Sequence, residues 1–429
     1  MGTRRRTVVA AAAAAILALT GCAGRGSSSD DDKGTAGGKV TLKFWNGFTG
    51  PDRPAVEELV KRYNGSQDKV TVQMEIMPWD VFYQKLLPSL SSADGPDMVA
   101  MDTAQMAQYA DRGVLAPLDS YYDDADAKNL VTPAVDATAY KGVKYGVPMN
   151  FTTVLLYWNK EMFKAAGLDP EKPPATWAEF ADAARKTTKD TNGDGKPEQY
   201  GLAIADHETV PMWPILLWQN GGGVVSPDGT KAMLNDPATV EAMEFWRGLV
   251  VTDKVAPIGL GGADADKLFQ SKKAAMEIVG PWMTTGFKEA GIDFGLAMPP
   301  AGKEKVTLGT SVAFNVNKRA GEAKTNAAKE FMKFWNSKDS QVYWSVNSGF
   351  PPSRTDIPAD ALAANPYVAE FAKYAQDSRF FLANVRDFQK VNEDIFEPAL
   401  QQVLNGKGST QDLFGKASTE IQTVLDGAR

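Results

Sequence analysis

One stretch decides the predicted fold: Tyr145-Gly146-Val147-Pro148-Met149-Asn150, continuing through Phe151 to Trp158-Asn159. Its second half, residues 154–158, is a near-continuous apolar and aromatic run, which predicts a strand buried on both faces. A helix pattern follows at once over 161–167 and ends at a glycine. We expect the chain to cross here from one lobe to another.

Three strands and two helices are predicted to alternate ahead of this stretch. Val40, Leu42 and Phe44 alternate with polar residues, residues 70–76 do the same, and a third short strand covers 97–101, with helices over 51–64 and about 80–90. Such alternation predicts a mostly parallel sheet, and ligands bind beyond the carboxyl ends of its strands. Trp45-Asn46, Trp79-Asp80 and Asp102 follow those ends. Each could instead plug a strand end or cap the next helix.

The second half of the chain carries further tryptophans near predicted strand and helix ends. A strand over 273–279 runs into Gly280-Pro281-Trp282, and the segment 212–223 contains Trp213 and Trp218, of which we expect Trp213 to point into a cleft. A second crossing strand is predicted over 308–316, where Gly309 would let the backbone approach a ligand closely.

Several of these motifs together resemble one family. They are Tyr-Gly-Val-Pro before the Tyr-Trp-Asn strand, Thr-Trp-x-Glu-Phe at 176–180, Trp-Gln-Asn-Gly-Gly at 218–222, Gly-Pro-Trp at 280–282 and Gly-x-x-Pro-x-Arg at 349–354. The chain resembles the extracellular solute-binding proteins of family 1, the sugar-binding lipoproteins of bacterial ABC importers that include the maltose-binding proteins. The resemblance covers nearly the whole mature chain.

The resemblance implies an α/β fold of the periplasmic-binding-protein type, with two α/β lobes, a multi-strand hinge and a ligand cleft between the lobes. We expect lobe 1 to contain 39–148 and 309–355, and lobe 2 to contain 149–308 and 356–429 with the C-terminal helices. It also implies that Asp102 hydrogen-bonds sugar hydroxyls and that Trp282 stacks on a sugar ring. The predicted ligand-binding residues are Trp45, Asn46, Asp102, Asn150, Trp213, Trp282, Gly309, Ser311 and Arg354.

A calcium-loop pattern occurs at 190–198, where Asp190, Asn192, Asp194 and Glu198 supply oxygens at positions 1, 3, 5 and 9 and Lys196 supplies a backbone carbonyl at position 7. The twelfth position is Gly201 instead of a bidentate glutamate. A structural Ca²⁺ and a metal-free turn both remain open. No other cofactor is predicted.

The N-terminus has the features of a lipoprotein signal, with Arg4–Arg6, an apolar segment too short to span a membrane, and a small-residue site that ends at Cys22. Residues 1–21 are the predicted signal peptide and 22–38 a flexible tether of Gly, Ser and Asp. Cys22 is the only cysteine, which excludes an internal disulfide and favours lipidation. We therefore expect an extracytoplasmic protein anchored to the cell membrane by lipid.

A net charge of −7 without basic clusters argues against nucleic acid as a partner. The sequence predicts a monomeric, non-enzymatic protein that captures a mono- or oligosaccharide and delivers it to permease subunits. A polyamine or polyol phosphate in the same fold, or a secreted carbohydrate-active hydrolase, are the alternatives. The hydrolase would need a defined carboxylate pair, which no sequence feature singles out.

Overall fold

A computed structural model describes residues 39–207, 210–383 and 385–427. The predicted signal peptide, Cys22 and the tether lie outside the described residues. In the part of the chain that is described, no helix has the length and apolar character needed to cross a membrane.

The strands and helices alternate along the chain as follows. The strands are β1 Val40–Asn46, β2 Val70–Ile76, β3 Met98–Asp102, β4 Ala139–Tyr140, β5 Val143–Lys144, β6 Gly146–Pro148, β7 Thr152–Thr153, β8 Leu155–Asn159, β9 Tyr200–Ala203, β10 Ala274–Val279, β11 Phe294–Ala297, β12 Thr307–Thr310, β13 Val312–Val316 and β14 Ser378–Arg379. The α-helices are α1 Arg53–Ser66, α2 Trp79–Leu90, α3 Thr103–Asp111, α4 Thr132–Asp136, α5 Lys160–Ala165, α6 Trp177–Thr187, α7 Trp213–Trp218, α8 Pro237–Arg247, α9 Gly262–Gln270, α10 Thr284–Glu289, α11 Gly321–Trp335, α12 Lys338–Ser348, α13 Tyr367–Lys373, α14 Phe388–Val391, α15 Glu397–Leu404 and α16 Thr410–Gly427.

The first lobe is built on a five-stranded sheet with the order β2-β1-β3-β13-β6. Strand β1 pairs in parallel with β2 and β3, as predicted, whereas β13 runs antiparallel to both β3 and β6. Leu42 and Phe44 point into the core while Thr41 and Lys43 are exposed, so the alternation in the sequence is confirmed. Helix α11 covers this face, where Phe331 and Trp335 pack against Phe314 of β13.

The second lobe is built on a four-stranded sheet with the order β11-β8-β10-β9. Every residue of β8 is buried, which confirms the prediction from its apolar run. The strand runs antiparallel to both β10 and β11. Thr176 and Glu179 form the predicted capping box at the start of α6.

A third sheet, β14-β12-β7, joins the lobes. The chain leaves lobe 1 at β6, passes through β7 and enters lobe 2 at β8, so the predicted crossing is confirmed. The return crossing differs from the prediction of one continuous strand over 308–316. Ser311 separates β12, in the joining sheet, from β13, in the lobe 1 sheet, because its carbonyl accepts a hydrogen bond from Thr103 and its hydroxyl donates one to Asn150.

Candidate functional site

A cavity of about 630 Å³ lies between the two lobes. Lobe 1 contributes the residues that follow β1, β2 and β3, lobe 2 contributes the residues that follow β9 and β10, and β12 of the joining sheet forms the floor with Gly309 and Thr310. The cavity therefore lies beyond the carboxyl ends of parallel strands from both sheets, where such folds bind ligands.

One tryptophan from each lobe lines the cavity, and each is packed over a glycine. A Cβ atom at Gly280 would lie 1.9 Å from Cζ3 of Trp282, and one at Gly47 would lie 2.0 Å from Cδ2 of Trp79. Neither glycine has a positive φ angle, so the reason for glycine is space for the indole ring and not backbone conformation. The two glycines thereby fix the positions of two flat apolar faces, one from each lobe.

The two tryptophans contact aromatic rings that also line the cavity. Trp282, in lobe 2, lies with its ring centroid 6.1 Å from that of Phe350, and Trp79 is stacked on Tyr83 at 5.8 Å. Trp282 packs against core residues of both lobes. The aromatic surface is thus continuous from one lobe to the other at this end of the cavity.

Asn150 lines the cavity from the hinge and carries a hydrogen-bond donor that no described residue uses. Its Oδ1 accepts the amide of Val312 at 2.9 Å, which orients the side-chain amide and leaves Nδ2 as the other atom. Nδ2 is buried and has no hydrogen-bond partner among the described residues. Ser311, predicted as a ligand residue, is fully buried and donates to the Asn150 carbonyl at 2.7 Å, outside the cavity lining.

Asp102 lines the cavity and also caps a helix. Its Oδ1 accepts the amide of Ala104 at the start of α3, and its Oδ2 accepts the hydroxyl of Thr310 at 2.9 Å. Burial raises the pKa of this carboxyl. Both oxygens keep free lone pairs, so a role toward a ligand would be additional to the capping role.

Seven carboxyl groups line the cavity. Those that line it are Asp52, Asp80, Asp102, Asp266, Glu277, Glu393 and Glu397. None of the described residues that line the cavity is Lys or Arg. Burial raises the pKa of Asp52 to about 7 and that of Asp266 to about 6.

These shifts predict that the melting temperature (Tm) of the ligand-free protein falls as the pH rises from about 4 to about 7. The folded state holds protons on Asp52 and Asp266 that the unfolded chain releases near pH 4, so the stabilisation from these two groups is complete below that pH and is lost as the pH rises through their folded-state pKa values. Asp126 and Asp356 have lowered pKa values, and their contribution changes only below this window. Differential scanning fluorimetry from pH 4.5 to 8 measures the effect, which should be on the order of a few degrees.

The Asp52→Asn variant is the control for this pH dependence, since it removes one of the titrating groups. Its Tm should change less across the same window than that of the wild type. A wild-type Tm that rises between pH 4.5 and 7 would contradict the prediction.

Several predicted ligand residues lie elsewhere in the structure. Trp45 packs in a lobe 1 cluster that includes Phe82, and Asn46 is fully buried, with its Oδ1 accepting the amide of Phe48. Trp213 is buried in the lobe 2 core and donates to the carbonyl of Ala205. Of the nine predicted residues, the cavity is lined by Asp102, Asn150, Trp282 and Gly309.

Arg354, the last predicted ligand residue, forms an ion-pair cluster in lobe 1. Its side chain is 2% exposed, whereas that of its partner Asp126 is 62% exposed. The guanidinium donates to both carboxylate oxygens of Asp126 at 2.6 and 2.8 Å, to both of Asp356 at 2.8 and 2.9 Å, and to the carbonyl of Asn336. This cluster joins the segment that follows α12 to residues 126–130. All of the guanidinium nitrogens therefore have protein partners.

We predict that Arg354→Lys lowers stability and leaves ligand affinity unchanged. Lysine cannot reproduce two bidentate carboxylate contacts, and the expected loss of unfolding free energy is about 1–3 kcal/mol. Chemical denaturation measures the loss, and isothermal titration calorimetry measures the affinity. An unchanged free energy of unfolding with a weakened ligand would instead place Arg354 in the binding site.

Other lining residues had no predicted role. The strand pattern predicted that Trp79 and Asp80 lie at the ligand-binding end of the lobe 1 sheet, but neither was predicted to bind the ligand. Glu277 is buried in the middle of the apolar strand β10, and that single charge was the available signal. His207 also lines the cavity and contacts Asp206, with 2.7 Å between Nδ1 and Oδ1.

The calcium-loop residues lie away from the cavity, on the surface of lobe 2. The two oxygens of Asp190 accept the amides of Gly193 and Gly195 at 2.7 and 2.8 Å, and the Lys254 ammonium donates to the Gly195 carbonyl at 2.8 Å. Over the described residues, no group of three or more His, Cys, Asp or Glu side chains is arranged to hold a metal ion. A metal ion in this loop would therefore compete with these amides and with the Lys254 ammonium for the Asp190 oxygens and the Gly195 carbonyl.

Comparison with known proteins gives consistent results. A profile of the bacterial extracellular solute-binding proteins matches residues 58–370. A putative binding protein of Brucella abortus is 27% identical over 398 residues, covering 90% of this chain and 93% of the relative. The maltotriose-binding protein of Pyrococcus abyssi is 25% identical over 79% of this chain and 72% of its own length. The sn-glycerol-3-phosphate-binding periplasmic protein of Brucella melitensis is 25% identical over 73% and 75%.

Solved structures with a similar fold are also solute-binding proteins. An ABC transporter solute-binding protein from Thermotoga lettingae, bound to α-D-tagatose, superposes with a TM-score of 0.81 at 24% identity, over 90% of this chain and 100% of the other. At this level of identity the similarity shows the fold, which is the predicted one.

Proposed function

The chain belongs to the bacterial extracellular solute-binding protein family, and from that premise we propose that it captures a carbohydrate and delivers it to the membrane permease of an ABC importer. Proteins of this family bind solutes and are not enzymes. The family also places the chain outside the cytoplasm. The relatives do not agree on the solute, since one is named for maltotriose and another for sn-glycerol-3-phosphate.

The lining of the cavity is the observation that supports a sugar. Trp79 and Trp282 offer flat apolar faces for the C–H side of a sugar ring, and the carboxyl groups and Asn150 can bond its hydroxyls. A phosphate ligand would be expected to meet Arg or Lys side chains. The described cavity lining contains neither, which favours an unphosphorylated saccharide over a polyol phosphate.

A thermal-shift screen with neutral mono- and oligosaccharides tests this proposal. A specific ligand at 100 times its dissociation constant adds about 2.7 kcal/mol of stability. The Trp282→Ala variant should lose that shift. A screen in which sn-glycerol-3-phosphate stabilises the protein and no saccharide does would overturn the proposal.

Anchoring through a lipid on Cys22 and a monomeric state belong to the same proposal. The sequence 19–22 supports the first, because a small-residue site that ends in cysteine follows a short apolar segment. Membrane fractionation of a Cys22→Ser variant tests it, since an anchored protein should move from the membrane to the soluble fraction.

We also propose a weak calcium site at residues 190–198. Position 12 lacks a carboxylate, and the Lys254 ammonium lies against the loop, so we predict a dissociation constant in the range of about 10⁻⁴–10⁻³ M. The Lys254→Ala variant should bind more tightly because a competing cation is gone. Isothermal titration after chelation measures both, and no heat from either protein at millimolar Ca²⁺ would refute the site.

A further inference from the structure

Two carboxyl groups meet at the lobe 2 wall of the cavity. Glu277 comes from the central strand β10 and is 1% exposed, and Asp266 comes from α9. The two groups are hydrogen-bond neighbours. Burial and the adjacent charge of Asp266 raise the pKa of Glu277.

One oxygen of this pair accepts no hydrogen bond from an amide, amine or hydroxyl group. Glu277 Oε2 is buried, and no such group of the described residues donates to it, although the Glu277 side chain lines the cavity. An unpaired buried carboxylate oxygen costs free energy, and such groups in native structures call for an explanation. A ligand that donates a hydrogen bond at this point would remove the cost.

In the described part of the chain, the elements packed around Glu277 place no Lys or Arg side chain at the cavity. Strand β8 places Tyr157 opposite it, and the Tyr157 hydroxyl lies 3.1 Å from the Gly280 carbonyl and 2.7 Å from the Thr284 hydroxyl. Strand β9 places Ala203 opposite it, and α9 contributes Asp266. Helix α6 turns an apolar face toward the sheet, with Phe180 and Ala184 buried. Lys267 of α9 is exposed and pairs with Asp264.

The rest of the lobe 2 wall adds acceptors of the same kind. Asn392 Oδ1 is buried and has no hydrogen-bond partner among the described residues, and its Nδ2 donates to Glu397 at 2.7 Å, which leaves Oδ1 as a further acceptor. Glu393 and Glu397 also line the cavity. The wall therefore presents acceptors and negative charge.

We propose that the carbohydrate taken up by this protein carries an amino group, and that its ammonium binds between Glu277 and Asp266. The inference rests on the proposed function and names the class of sugar. An ammonium has three donors and no acceptor, so it can donate a hydrogen bond to Glu277 Oε2 and also compensate the negative charge of two carboxylates. A neutral hydroxyl can donate the hydrogen bond but cannot compensate the charge. The neutral remainder of the saccharide lies against Trp79 and Trp282.

Matched pairs of sugars test the inference. Glucosamine and glucose, galactosamine and galactose, mannosamine and mannose, and the β-1,4-linked glucosamine disaccharide and cellobiose differ chiefly by amine for hydroxyl. Isothermal titration at pH 6 should show that the amine member of at least one pair binds at least about 10-fold more tightly. Titration in buffers of different ionisation enthalpy should also show proton release, because a bound cation favours the ionised form of a carboxyl group whose pKa burial has raised.

Glu277→Gln is the test variant and Glu289→Gln the matched control. Glutamine retains an acceptor but removes the charge, so the amine preference and the proton release should both disappear. Glu289 is exposed and outside the cavity, so its variant should behave as the wild type. The ligand-free Tm of each variant checks folding.

The outcomes separate this inference from the proposed function. Equal or tighter binding of the neutral members overturns the inference and supports a neutral carbohydrate. Tighter binding of an amine that persists in Glu277→Gln also overturns it, because the amine would then bind elsewhere. No binding by any of the eight sugars overturns the inference, and the neutral saccharide screen then decides the function alone.

Discussion

Replacing Gly280 with alanine is expected to weaken sugar binding about 10- to 100-fold, because the new methyl group displaces the Trp282 ring. The Cβ would lie 1.9 Å from Cζ3 and 2.3 Å from Cη2 of that ring, distances that no packed structure tolerates. The backbone at Gly280 has φ −88°, so alanine causes no strain of its own. The ring must therefore leave its position beside Phe350, and one flat wall of the cavity is lost.

Gly295→Ala is the matched control for this substitution. Its Cβ would lie 2.0 Å from Cζ2 of Trp158, a clash of the same severity, but Trp158 is buried in β8 and does not line the cavity. We expect Gly295→Ala to lower the Tm and to leave the dissociation constant unchanged. If Gly280→Ala binds its sugar as the wild type does, Trp282 is not a ligand platform.

The elements with strong periodicity were predictable from the sequence. Strand β2 has the bounds 70–76 that its alternation predicted, and β8 was recognisable from an apolar run alone. These patterns record which faces are buried, and burial is what holds both lobes together. The resemblance to a known family supplied the two-lobed arrangement, which local patterns do not contain.

Side-chain direction at the strand ends was less predictable. The sequence placed Trp45 and Trp79 at the same rim, but Trp79 lines the cavity, whereas Trp45 is still within β1 and packs in the core. A strand reverses its facing with each residue, so an error of one residue in its end exchanges cavity for core. For Arg354 the turn was recognisable, but its partner Asp126 lies 228 residues away in the chain.

The path of the backbone through the hinge was also difficult to predict from the sequence. Residues 308–316 alternate as one strand would, and the break at Ser311 depends on bonds to Thr103 and Asn150. Both partners come from distant parts of the sequence. In this arrangement Asn150 lines the cavity and its Nδ2 has no hydrogen-bond partner among the described residues, a feature on which a second large effect depends.

We predict that Asn150→Asp weakens sugar binding by about 10- to 100-fold. The Oδ1 position continues to accept the Val312 amide, which preserves the joint between the hinge strands. The atom at the Nδ2 position changes from a donor into an acceptor. A ligand oxygen that accepts a hydrogen bond from Nδ2 in the wild type would then face a carboxylate oxygen. Isothermal titration with the best saccharide from the screen measures the loss, which should be partly reversed at acid pH, where the protonated carboxyl donates again.

Asn315→Asp serves as the control for placing a carboxyl group in the hinge-side core. Asn315 is also fully buried, and its Nδ2 donates to the Tyr145 carbonyl at 2.8 Å, but it does not line the cavity. Its variant should lose stability and keep its affinity. Equal loss of affinity in both variants would mean that the hinge, and not the donor of Asn150, determines binding.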